Sequence, residues 1–119
     1  TDAGKSRIVP VHSFIQPLVM QRMERYGNLL PITAGTFRKN MNTLLKQIGI
    51  TERHTPHDCR HTFSYLCEKY EVAENDRKRM LGHAFSDITN RVYGHRDVEE
   101  LRKQIEKINC DFLVTIKPK

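Results

Sequence analysis

Apolar residues recur at helical spacing along most of the chain. At about 100° per residue, Ile15, Leu18, Val19, Met23 and Tyr26 fall on one helix face. Ser13 is the expected N-cap, Pro17 falls in or just beyond the first turn, and Gly27-Asn28 marks the end. A second helix is predicted from about Thr33 to Ile48, with Phe37, Met41, Leu44, Leu45 and Ile48 as its stripe and Gly49 as its stop. The third, Pro56 to Tyr70, is the best specified. Thr55 is its N-cap, Pro56 takes the first position, and Asp58 places a negative charge in the first turn, where the helix dipole favours it. Its phase puts Cys59, Phe63, Leu66, Cys67 and Tyr70 on one face and His57, Arg60, His61 and Ser64 on the other.

A basic helix is predicted around Glu74 to Leu81, broken by Gly82. Asp87 is placed to cap a short helix carrying Ile88, Val92 and Tyr93. The last helix spans about Asp97 to Ile108, with the stripe Val98, Leu101, Ile105 and Ile108. Ahead of all these, Gly4 marks a turn and Ile8-Val9-Pro10-Val11 reads as a short strand, the second half of a β-hairpin. Cys110 to Ile116 is β-prone, a strand or an ordered tail. The expected fold class is mainly α with a small N-terminal β-hairpin remnant (α+β), forming one partial domain over residues 1–119. A start at Thr1, without methionine, reads as the interior of a longer protein.

Charge changes the picture. The formal net charge is +6 and the pI about 9.4, which favours an anionic partner. The excess is uneven: residues 1–55 hold eight Lys/Arg against three acids, and residues 56–119 hold twelve against eleven. Three cysteines, Cys59, Cys67 and Cys110, without a secretion signal read as reduced thiols in a cytoplasmic protein. No apolar run approaches the roughly 20 residues a bilayer span needs, so no membrane association is expected.

The chemistry concentrates in His57-Asp58-Cys59-Arg60-His61, then Leu81-Gly82-His83, then Tyr93. Cleaving a phosphodiester needs charge neutralised on the non-bridging oxygens, an activated nucleophile and a protonated leaving group. Arg60 can give a phosphate two parallel hydrogen bonds. His57, on the same face, can share that phosphate or accept a proton, and His83 adds a donor from a glycine-marked turn. Tyr93 is the nucleophile candidate. A free phenol has a pKa near ~10, which surrounding cations lower. Each element alone has a blander reading: a solvated helix face, a capping histidine, a core tyrosine. Two rival readings of the set remain open. One is a metal site on His54, His57 and His61 with Cys59 nearby. The other is a non-catalytic DNA-binding module whose basic helices hold phosphates.

In this order and spacing the residues resemble the tyrosine recombinases, the phage-integrase family. "TPHDCRHTFSYLCEKY" is similar to the family's His-x-x-Arg-His-Thr-Phe box, "MLGHAFSDITNRVYGH" to its Leu-Gly-His…Tyr box, and "AGKSRIVPVH" to the hairpin strand before them. The resemblance covers essentially the whole chain as the C-terminal part of a catalytic domain. It implies site-specific DNA recombination or integration through a 3′-phosphotyrosyl intermediate. Tyr93 would be the nucleophile, Arg60 the second catalytic arginine, His57 the proton acceptor and His83 a phosphate hydrogen-bonder. No metal, ATP or other cofactor is implied. The implied partners are double-stranded DNA and further recombinase protomers in a tetrameric synapse, in a bacterial or phage-encoded protein.

The family's first catalytic arginine lies upstream of the hairpin and its catalytic lysine directly before the segment matching Thr1, so both are expected outside these residues, leaving the isolated chain nearly inactive. Lys5 reads as a hairpin residue near DNA. The His83-to-Tyr93 spacing exceeds the commonest family spacing by one residue, predicting a small insertion near Phe85-Ser86. Candidate DNA contacts are Lys5, Arg7, Arg38, Lys39, Arg77, Lys78 and Arg79. The stripe of the last helix packs either on its own chain or on a neighbouring protomer.

Overall fold

The computed structural model describes residues 5, 7–83 and 97–113. Within them run five helices: α1 (Gln16–Tyr26), α2 (Ala34–Gln47), α3 (Pro56–Lys69), α4 (Glu74–Leu81) and α5 (Val98–Ile105). Their ends follow local chemistry. The Thr33 hydroxyl accepts from the Thr36 N–H at the start of α2. Gly27, Gly49 and Gly82 follow α1, α2 and α4 with φ of 66°, 84° and 74°, a region that favours glycine. Asp97 caps α5 by accepting from the Glu99 and Glu100 N–H groups.

The core lies in the C-terminal half. Cys67 of α3, Val72 of the following turn, Met80 of α4, Leu101 and Ile105 of α5, and Ile108 just beyond are buried together, with Phe63, Leu66, Tyr70 and Cys110 packed around them. The stripe of α5 therefore docks on its own chain. The turn between α3 and α4 is pinned to α5 as well. The Ala73 N–H donates to Gln104 Oε1 at 3.0 Å, and Lys107 Nζ donates to the Glu71 carbonyl at 3.3 Å.

Several expectations need correction. First, residues 8–11 form no strand, and among the described residues there is no sheet. A strand needs a neighbour to complete its ladder, no described segment supplies one, and Pro10 has no N–H to offer. The fold of the described residues is thus helical rather than α+β. Second, Ser13 does not cap α1, whose N-cap is Ile15. The Ser13 N–H and hydroxyl instead donate to the Glu106 carboxylate at 2.6 and 2.8 Å. Third, the apolar stripes of α1 and α2 are not buried, with Met23, Tyr26, Leu44 and Ile48 all exposed. Fourth, Cys59 shares the inward phase of α3 but is exposed. Beside it α2 and α3 leave an open cleft of about 360 Å³, lined by Met41, Leu45, Phe63 and Leu66 among others. The last helix is also shorter than expected, giving way after Ile105 to a turn that still buries Ile108. Residues 110–113 form a turn rather than a strand. Gly4, the Phe85-Ser86 insertion and the helix from Asp87 through Tyr93 lie outside the described residues.

Candidate active site

Helix α3 carries the first half of the site. Asp58, in its first turn, accepts the Thr55 N–H at 2.9 Å and lies 3.1 Å from His54 Nδ1. A carboxylate has no proton to give, so His54 Nδ1–H is the donor. These bonds start α3 at Pro56 and set its phase. His57 and His61, one turn apart, both face solvent, and their rings meet edge to face with centroids 4.6 Å apart. Arg60 lies between them along the chain and is half-buried.

Arg60 ties the two halves together. Its Nη2 donates to the Leu81 carbonyl at 2.5 Å, across twenty-one residues. Leu81 is the last residue of α4, where carbonyls lack helical partners and the dipole is negative, so a guanidinium fits. Gly82 then turns through the left-handed region, and the His83 N–H reaches back to the Lys78 carbonyl at 2.9 Å. This turn sets the exposed His83 within the electrostatic reach of Arg60, Arg77 and Lys78. Partial desolvation first, and then those three positive charges, hold its imidazole below the ordinary value of 6.5. Arg60 and His83 are thus brought together, with His57 on the same helix as Arg60.

The candidate DNA contacts differ in their surroundings. Lys5, Arg7, Arg38 and Lys39 are exposed. Lys78 pairs with Glu74 at 3.1 Å. Arg79 is largely buried and donates to the buried Asp76 at 2.8 Å. The signal for Asp76 in the sequence is an acid three residues before an arginine on one helix. Nothing local to Glu106 announces its partner Ser13, 93 residues away. Two other tyrosines lie at α3: Tyr65 is exposed and Tyr70 packs against the core. Tyr93 lies outside the described residues, so its place relative to Arg60 is not part of the geometry. Among the described residues, no three His, Cys, Asp or Glu side chains are grouped to hold a metal ion.

An arginine and a histidine joined through a helix C-terminus in a basic chain have the donors and charge to hold a phosphate. The chain belongs to the phage integrase family, which it matches over residues 3–100, a stretch containing both boxes and Tyr93. That family comprises tyrosine recombinases, enzymes of DNA recombination and integration found in phages and mobile elements, and its members act on DNA. No curated protein and no solved structure matches the chain. No described helix is long and apolar enough to cross a membrane.

Proposed function

We propose that this chain is the C-terminal part of a recombinase catalytic domain that cuts and rejoins double-stranded DNA through Tyr93. The observation that carries the reading is the hydrogen bond from Arg60 to the Leu81 carbonyl, which links the arginine to the turn bearing His83. The phenol oxygen of Tyr93 attacks the scissile phosphorus, forming a 3′-phosphotyrosyl ester and expelling a 5′-hydroxyl. The phenolic proton passes to a base, for which His57 is the candidate, and the leaving oxygen takes a proton. Arg60 and His83 donate to the non-bridging oxygens as charge builds there. Each preorganised donor of this kind contributes ~2.7–4 kcal/mol.

The bond energy stays in the protein–DNA ester, so rejoining needs no nucleotide and no metal. Lys5, Arg7, Arg38, Lys39, Arg77, Lys78 and Arg79 are the proposed backbone contacts, and protomers pair into a tetrameric synapse on DNA.

Substituting Tyr93→Phe in the full-length protein tests the reading. Loss of the covalent protein–DNA adduct with duplex binding retained is the expected result. Adduct formation that survives the substitution assigns the nucleophile elsewhere, and binding without any adduct in the unmutated protein makes the chain a non-catalytic DNA-binding module.

A further inference from the structure

The two ends of the described chain meet in a cluster of polar bonds outside the active site. The Glu106 carboxylate receives the Ser13 N–H at 2.6 Å and the Ser13 hydroxyl at 2.8 Å. Beside it, the Phe14 N–H donates to His12 Nδ1 at 3.0 Å, so that nitrogen carries no hydrogen. His12 Nε2 therefore bears the hydrogen and donates to the Ile108 carbonyl at 2.9 Å. No residue of α1 or α2 is buried, so apolar packing by those helices does little to hold the N-terminal segment. The buried Pro10 and these bonds to the end of α5 help hold that segment to the core, beside the interactions that Lys5 and Arg7 make themselves. Lys5 and Arg7, both exposed, lie on that segment.

We propose that Glu106, through Ser13, is a positioning residue for DNA binding: it latches the basic N-terminal segment to the core and presents Lys5 and Arg7 in a fixed place. The inference rests on the DNA-binding reading above. A latched segment offers its cations already ordered, whereas a loosened one must be ordered at the moment of binding. Glu106 remains anionic at neutral pH. Burial raises its carboxyl, but the two Ser13 donors, helped by the charge of Arg102, outweigh burial and keep it below its ordinary value. An acid thus aids the binding of a polyanion, the reverse of what its charge alone does.

The test is duplex DNA binding by fluorescence anisotropy across a salt series, for the unmutated chain and for Glu106→Ala, Ser13→Ala and Ser13→Thr. Glu106→Ala is expected to bind at least about five-fold more weakly near 0.1 M salt, with a log–log salt slope shallower by up to about 1.8, the value for complete loss of two phosphate contacts. Ser13→Ala, which keeps the backbone bond and changes no charge, shifts both quantities the same way by less, and Ser13→Thr restores them. Far-UV circular dichroism distinguishes loosening from unfolding, and Ser13→Ala carries the test if Glu106→Ala does not fold. Binding by Glu106→Ala that is as tight or tighter, as removal of a negative charge dictates, overturns the latch, as does an unchanged slope in Ser13→Ala. An unmutated chain without salt-dependent binding sinks the DNA reading itself and the latch's role with it, and that curve distinguishes the two failures.

Discussion

Asp58 holds the start of α3 through the Thr55 N–H and the His54 ring, and with it the register of His57 and Arg60. Its pKa is lowered from 3.8 chiefly by the Thr55 hydrogen bond and then by that from His54, with smaller help from the charges of His54 and His61. The folded-state value is depressed, so this carboxylate adds stability above its ordinary value, and that contribution is lost as pH falls through the folded-state value. Asp58→Asn is therefore expected to lower the melting temperature at pH 7, and the gap to the unmutated chain is expected to narrow below pH 3.8. Thermal unfolding monitored by circular dichroism at several pH values reads this directly, and a gap that widens on acidification contradicts the assignment. Cys67 makes a contrasting case. Fully buried, its thiol is pushed up to about 11 by desolvation, with Arg77 opposing the rise, so it serves as a core residue rather than a reactive one.

At the scale of elements, burial divides the helices more sharply than their sequence patterns do. Leu101 and Leu44 occupy equivalent positions on apolar stripes, but Leu101 is 3% exposed and Leu44 is 54% exposed. Leu101→Ala leaves a cavity among Cys67, Met80 and Ile105 and is expected to cost ~2–5 kcal/mol. Leu44→Ala removes little buried area and is expected to stay within about 0.5 kcal/mol. Denaturant unfolding of the two variants measures the difference, and equal costs mean that α2 is packed after all. Helix limits were legible in the sequence because their causes are local: Thr33 and Thr55 before, Gly27, Gly49 and Gly82 after. What covers a helix face is not local. Phase correctly placed Cys59 on the inward side of α3, but only the standing-off of α2 decides that it is exposed. The strand at residues 8–11 failed for the same reason, since its β-propensity had no partner to act on. Ser13 had a plausible local role as a cap and found a stronger acceptor in Glu106, across a gap no window reads. The pairing of Arg60 with His83 was readable only as a juxtaposition of two boxes. Its physical agent, the Leu81 carbonyl, is backbone and leaves no mark in the residue pattern.

For the molecule as a whole, the proposed DNA contact at the His83 turn predicts that affinity depends on pH. In the free chain, desolvation and the charges of Arg60, Arg77 and Lys78 keep the His83 pKa below 6.5, so it is largely neutral at pH 7.5. A DNA phosphate at the site supplies the opposite charge and favours the imidazolium, so binding takes up a proton. By linkage, affinity then rises as pH falls through the bound-state value and levels off below the free-chain value, which lies under 6.5. Acidification acts on the rest of the chain and on the DNA as well, so the informative quantity is a difference between variants. His83→Gln keeps a hydrogen-bond donor but cannot titrate. Anisotropy titrations at pH 7.5 and 5.5 are expected to show a larger gain in affinity for the unmutated chain than for His83→Gln, with nearly equal binding by the two at pH 7.5. If the gain is the same in both, His83 does not face the bound phosphate. The bond from Arg60 to Leu81 would then only brace α3 against α4, and the proposed site would lose the residue that joins its two halves.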